Sequence, residues 1–177
     1  NQKINFSTSS DTEVLLRYFI KYNEKCLDFF EGMWSFAIYN KLNGELFLAR
    51  DRFGEKPLFY LRESKDFYFA SEIKYLKSLF PKKFSINKNK INRYLAFGYK
   101  SLCKDDSTFF ENIYSLNPGE YIKIKNNNFF KKKYWILKEK KKLNINYSDA
   151  LEESGRLLQK SISLRTRSDV PITVCLS

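Results

Sequence analysis

The stretch MWSFAIYNKLNGELFLARDRFGEKPLFY, residues 33–60, decides how the chain must fold. Its period is two: Trp34, Phe36 and Ile38 alternate with smaller or polar residues, and the same rhythm resumes at Leu46 and Leu48. Between the two runs Asn43-Gly44 supplies the positive-φ pair of a tight hairpin. A second pair, PLFYLRES and DFYFAS, turns at residues 64–66. Four consecutive short strands predict an antiparallel meander. Their apolar residues point both ways, so the sheet should be covered on both faces.

Within this stretch RDRFGEKP is the turn between the hairpins. Gly54 admits a backbone conformation that other residues resist, and Pro57 fixes the approach to the next strand. Arg50 and Asp51, adjacent at a strand end, are read as braces of that turn.

Upstream, SSDTEVLLRYFIKYN carries a capping box, Ser10 with Glu13, ahead of Val14, Leu15, Tyr18, Phe19 and Tyr22 at helical spacing. A short second helix over about 24–30 should stop at Gly32. Downstream, Ser71 is expected to cap the helix EIKYLKSLF, closed by Pro81. Residues 82–107 are less regular, with a helix through INRYLAFGY. NPG at 117–119 turns the chain into EYIKIK, and NNN returns it as FFKKKYW, a third hairpin. The Lys-rich stretch 138–147 reads as a linker. Ser148 should cap a helix with Leu151, Leu158 and Ile162 on one face, leading to Val170–Leu176. That last run is apolar and β-branched, as in a strand buried on both faces. The first 135 residues are thus antiparallel α+β, and the last 30 begin something α/β.

The 177 residues suffice for one domain and part of another, and 43% hydrophobic content with 17 Phe and 12 Tyr can fill a core. There is no 18-residue apolar run and no signal-peptide pattern, and the start NQKINFSTSS lacks a Met and reads as truncated. Cys26, Cys103 and Cys175 are widely spaced and odd in number, which fits a reducing cytoplasm better than a disulfide framework or a metal site. No histidine occurs, so Ser-His-Asp, Cys-His and His-ligated zinc chemistry are excluded within these residues. The net charge of +12 is spread over lysines in polar surface runs, a pattern of solvation rather than of nucleic-acid recognition.

Taken together, RDRFGEKPL followed by FASEIK resembles the glutaminase half of class II glutamine amidotransferases, and most of all the glutamine-hydrolysing asparagine synthetases. SDTEV resembles the family's glutamine-holding segment. YLAFGY, FENIYSLNPGEYIKI and KKYW resemble the end of its glutaminase domain. SLRTRSDVPITVCLS resembles the start of its synthetase domain. These motifs, in order, cover essentially the whole chain.

The resemblance implies an α+β fold of the N-terminal-nucleophile type, four layers αββα with antiparallel sheets. Its glutaminase domain would cover 1–137, with a linker at 138–147. The first part of an α/β ATP-pyrophosphatase-type synthetase domain would occupy 148–177. It implies that Asp11 binds the α-ammonium of glutamine, that Leu176 lies against the adenosine of ATP, and that Ser177 opens a pyrophosphate-binding loop. Glutamine hydrolysis through a thioester would release ammonia, and the synthetase domain would activate aspartate with ATP and Mg2+ to give asparagine, AMP and pyrophosphate. The family's nucleophile, an amino-terminal cysteine activated by its own amine, is not among these residues, and Cys26 cannot replace it. Alone, these residues are expected to be inactive. The implied partners are small molecules, glutamine, aspartate and ATP, without nucleic acid or membrane, in a cytoplasmic enzyme for which a homodimer is admissible. Two alternatives stand beside this one. An amidotransferase of the same build could amidate another carboxylate, such as a sugar acid in surface-polysaccharide synthesis; a basic module could bind without catalysis. The tail 165–177, lacking most of its strand partners, should be disordered or packed on helix 148–163.

Overall fold

The structure, a computed structural model, describes residues 5–80, 83–101, 105–138 and 144–175. Two compact units divide the chain, Asn1–Ile136 and Leu137–Ser177.

The first unit begins with α1, Asp11–Tyr22, and a 3₁₀ turn, Asn23–Asp28. β1, Ser35–Asn40, and β2, Glu45–Arg50, pair antiparallel across Asn43-Gly44. β3, Phe59–Glu63, and β4, Asp66–Ala70, pair across residues 64–65, with Ser64 at φ 55°. Then come α2, Ile73–Leu79; α3, Lys88–Phe97; β5, Ile113–Ser115; β6, Glu120–Lys125; and β7, Asn128–Lys133. The third hairpin turns on Asn126 and Asn127, both at positive φ, which asparagine tolerates better than most residues.

The four early strands do not form one meander. The sheets run β1-β2-β6-β7 and β4-β3-β5, so β2 and β3 belong to different sheets. The turn after Arg50 carries the chain across. β2 then takes β6 as its second neighbour, with Leu48 opposite Ile122, and β3 takes β5, with Tyr60 opposite Tyr114.

Strand alternation then builds four layers. On β2, Phe47 and Ala49 face outward with Tyr121, under Cys26, Leu27, Tyr18 and Phe19 of the first helical segment. Leu48 and Ile122 face inward and meet Leu58, Tyr60 and Leu116 of the second sheet. Leu61 and Ile113 point out the far side, where Leu76 of α2 packs with Phe80 and Phe84. The order is helix, sheet, sheet, helix. Each fully buried side chain of this size contributes on the order of 1.5–3 kcal/mol.

Several helix starts differ from the sequence reading. Ser10 does cap α1, but its hydroxyl accepts from Thr12 N–H rather than Glu13 N–H, so the box is not closed. The second helix is a six-residue 3₁₀ turn. Ser71 is one residue too early: α2 opens after Glu72, with no side-chain cap. Pro81, its expected stop, lies outside the described residues; α2 ends at Leu79, with Phe80 extended. α3 starts at Lys88, because the Asn87 carboxamide accepts from Lys90 N–H.

Among its described residues the second unit holds one helix, α4, Tyr147–Arg165. Asn146, not Ser148, caps it, accepting from Asp149 N–H while its amide donates to the Asp149 carboxylate. Leu151, Leu158 and Ile162 are each more than half exposed. Among the described residues 170–175 no strand forms: Val170 and Val174 are both 68% exposed. An apolar β-branched run becomes a strand only where another strand offers its ladder. No helix among the described residues is long and apolar enough to cross a membrane.

Candidate functional site

Asp11 occupies the first position of α1, exposed, beside the positive end of the helix dipole. Its carboxylate takes a 3.5 Å contact from Thr12 Oγ1 and otherwise faces solvent. A carboxylate with open acceptor sites can take a charge-assisted hydrogen bond from a cationic donor.

The loop before it is held by Glu13. Both Glu13 carboxylate oxygens lie 3.0 Å from Ser7 N, and one takes 2.7 Å bonds from Thr8 N–H and Thr8 Oγ1. Arg17, one turn on, donates to the other oxygen at 3.1 and 3.2 Å. The backbone N–H of Ser7 leads the groups that pull the Glu13 carboxyl down to about 2. The sequence pattern alone puts Glu13 in a capping box with Ser10. The signal that such a reading misses is the Ser/Thr run at 7–10, able to curl toward an acid.

The second cluster lies at the turn between sheets. Asp51 is 1% exposed, and its carboxylate accepts from Phe53, Glu55 and Lys56 N–H at 3.0 Å and from Trp34 N–H at 3.3 Å. Its carbonyl accepts from Gly54 and Gly119 N–H. Arg50 donates to the carbonyls of Lys56, Gly54 and Leu116, each at 2.6 Å, and to Ser115 Oγ at 3.1 Å. Gly54 sits at φ 68°, and an added Cβ would come within 2.8 Å of Pro118 Cγ. The Pro57 carbonyl accepts from Ser35 Oγ, tying the turn back to β1. Arg50, Asp51, Gly54 and Pro57 therefore meet in one turn, while Asp11 stands on a different element.

The Tyr134 hydroxyl donates to the Arg50 carbonyl, and burial pushes its pKa well up. Cys26 is fully buried, and desolvation pushes its thiol up to about 12, so it carries no thiolate at neutral pH. Leu176 and Ser177, like Cys103, lie outside the described residues. Among the described residues no group of three Cys, Asp or Glu side chains is placed to hold a metal.

Asparagine synthetase (glutamine-hydrolyzing) 2 of Bacillus subtilis is 35% identical over 187 residues, covering 97% of this chain and 24% of that protein. Asparagine synthetase (glutamine-hydrolyzing) 3 of the same organism is 30% identical over 172 residues, covering 97% of this chain and 28% of the relative. The chain thus spans about a quarter of the length of these curated relatives. Among solved structures, glutamine phosphoribosylpyrophosphate amidotransferase from B. subtilis aligns over 77% of this chain and 25% of that chain, with 20% identity and a TM-score of 0.49. The family described as glutamine amidotransferase domain matches residues 1–135, the span that holds both sheets and both carboxylate clusters, and the chain belongs to that family.

Proposed function

We propose that this chain is the later part of the glutaminase domain, and the first part of the synthetase domain, of a glutamine-hydrolysing asparagine synthetase. The observation that carries the reading is Asp11: an exposed carboxylate on a helix start, behind a loop already pinned by its own hydrogen bonds, in a chain that belongs to the glutamine amidotransferase domain family. Asp11 takes the α-ammonium of glutamine, which selects an amino acid over a bare amide. The names of the curated relatives support aspartate as the acceptor. ATP and Mg2+ belong to the second step, with Leu176 and Ser177 on the nucleotide, and no part of that step is assigned to the described residues.

The test is Asp11→Asn in the full-length enzyme. Asparagine keeps the shape and can still sit at a helix start, so folding should change little. A hydrogen bond to a charged group contributes on the order of 1.5–3 kcal/mol, so glutamine-dependent synthesis should fall roughly 10- to 100-fold in kcat/KM. Synthesis driven by free ammonia bypasses the glutamine site and should survive. Equal loss of both activities would point to misfolding; no loss of either would return Asp11 to the role of a first-turn acid.

A further inference from the structure

Asp11 is exposed and makes one weak contact, so something else must set where its carboxylate stands. We infer that Glu13 is a positioning residue for glutamine: it pins the Ser7–Ser10 loop so that Asp11 meets its ligand already in place. This rests on the reading that Asp11 takes the α-ammonium.

The geometry is a relay. Glu13 gathers Ser7 N–H and Thr8 N–H, so two consecutive peptides face one carboxylate. Thr8 Oγ1 gives its proton to Glu13 at 2.7 Å, which leaves a lone pair that accepts Ser10 N–H at 3.3 Å. The Ser10 hydroxyl in turn accepts Thr12 N–H and caps the helix whose first residue is Asp11. Each bond fixes the orientation of the next. Glu13 itself is one of the less accessible acids at this surface, its side chain only 15% exposed, and both its oxygens are engaged within the loop and by Arg17. It has no free valence for substrate. The carboxylate of Glu13 holds and the carboxylate of Asp11 binds.

If Glu13 is lost, the loop must be ordered at the moment glutamine binds, and the cost moves from folding to binding. In the full-length enzyme, Glu13→Ala should raise KM for glutamine on the order of 10-fold, while kcat at saturating glutamine stays within about 3-fold, because the bound ligand restores the order. Glu13→Gln, which retains one acceptor oxygen, should fall between. Because Glu13 acts through Asp11, the double variant Asp11→Asn with Glu13→Ala should be no more than about 2-fold worse than Asp11→Asn alone. Amide hydrogen exchange at Ser7 and Thr8, slow in the parent, should become fast in Glu13→Ala with the thermal midpoint little changed.

Additive losses in the double variant, or a fall in kcat together with a lowered thermal midpoint, would make Glu13 merely structural and overturn the inference. An unchanged KM in Glu13→Ala beside a raised KM in Asp11→Asn would overturn it while leaving the glutamine site standing. If both single variants left KM unchanged, the site reading would fall and the inference with it.

Discussion

Asp51 and Glu13 use the same device in two settings. Each is a carboxylate that collects backbone N–H groups: three from its own turn and that of Trp34 at Asp51, two at Glu13 plus the Thr8 hydroxyl. Asp51 does this buried, at the crossing between two sheets, and the turn it holds is gripped again by Arg50 from the other side. Glu13 does it at the surface, where water competes for every donor. The turn that joins the layers is gripped by two side chains reaching into it from its own strand end, whereas the Ser7–Ser10 loop depends on Glu13 and passes that hold on through Thr8 and Ser10.

The largest effect should come from breaking the buried member. Asp51→Ala leaves four N–H groups without their acceptor at a site that excludes water, and should cost on the order of 3 kcal/mol or more. Urea unfolding of the first unit's core measures it, and a loss under about 1 kcal/mol would mean the turn does not hold the two sheets together.

Next comes Gly54→Ala. It forces a Cβ toward Pro118 and Arg50 at φ 68°, and should cost about 1–3 kcal/mol by the same titration. If the variant were as stable as the parent, the over-determination of this turn would be in doubt.

The member nearer the surface is tested by pH. The folded-state pKa of Glu13 lies at about 2 against an ordinary value of 4.5. A depressed carboxyl favours the ordered loop above its unfolded pKa, and that local preference is lost as pH falls through the folded one. The chemical shifts of the Ser7 and Thr8 amides should therefore hold steady from neutral pH to about 4.5 and move as pH approaches about 2. Movement already near pH 6 would show another group controlling the loop.

Smallest of all should be Arg17→Ala. Arg17 is 47% exposed and sits one turn from Glu13, a pairing that salt and solvent weaken. Neither the unfolding midpoint nor the glutamine KM should shift measurably at physiological salt. A clear shift in KM would add Arg17 to the relay.

Local elements were legible in the residues themselves. Alternation in SFAIYN and ELFLAR, with Asn-Gly between, specifies a hairpin whatever surrounds it, because both the strand period and the turn's positive φ are properties of a few neighbouring residues. The same holds for α1 with its Ser10 cap. Cap assignments miss in two ways: at Ser148 another polar side chain, Asn146, lies where it can take the first free N–H, and at α2 the helix opens after Glu72 with no side-chain cap at all. For the candidate site, Asp11 could be marked by resemblance to a family motif. The work of Glu13 could not, since it depends on a loop curling back five and six residues.

What the sequence determined by itself is therefore the set of helices and hairpins, the two-faced apolar character of the strands and the family motifs, all written within short local stretches. Tertiary structure decided which strands are neighbours. Nothing in ELFLAR says that β6, distant in the chain, will take its free edge, or that Arg50 will reach the Leu116 carbonyl. It also decided that Val170–Val174 forms no strand among the described residues, though the run has the composition of one. The physical reason is common to both: a strand's hydrogen bonds are made with other strands, so its place is set by a competition among distant segments that no local pattern records.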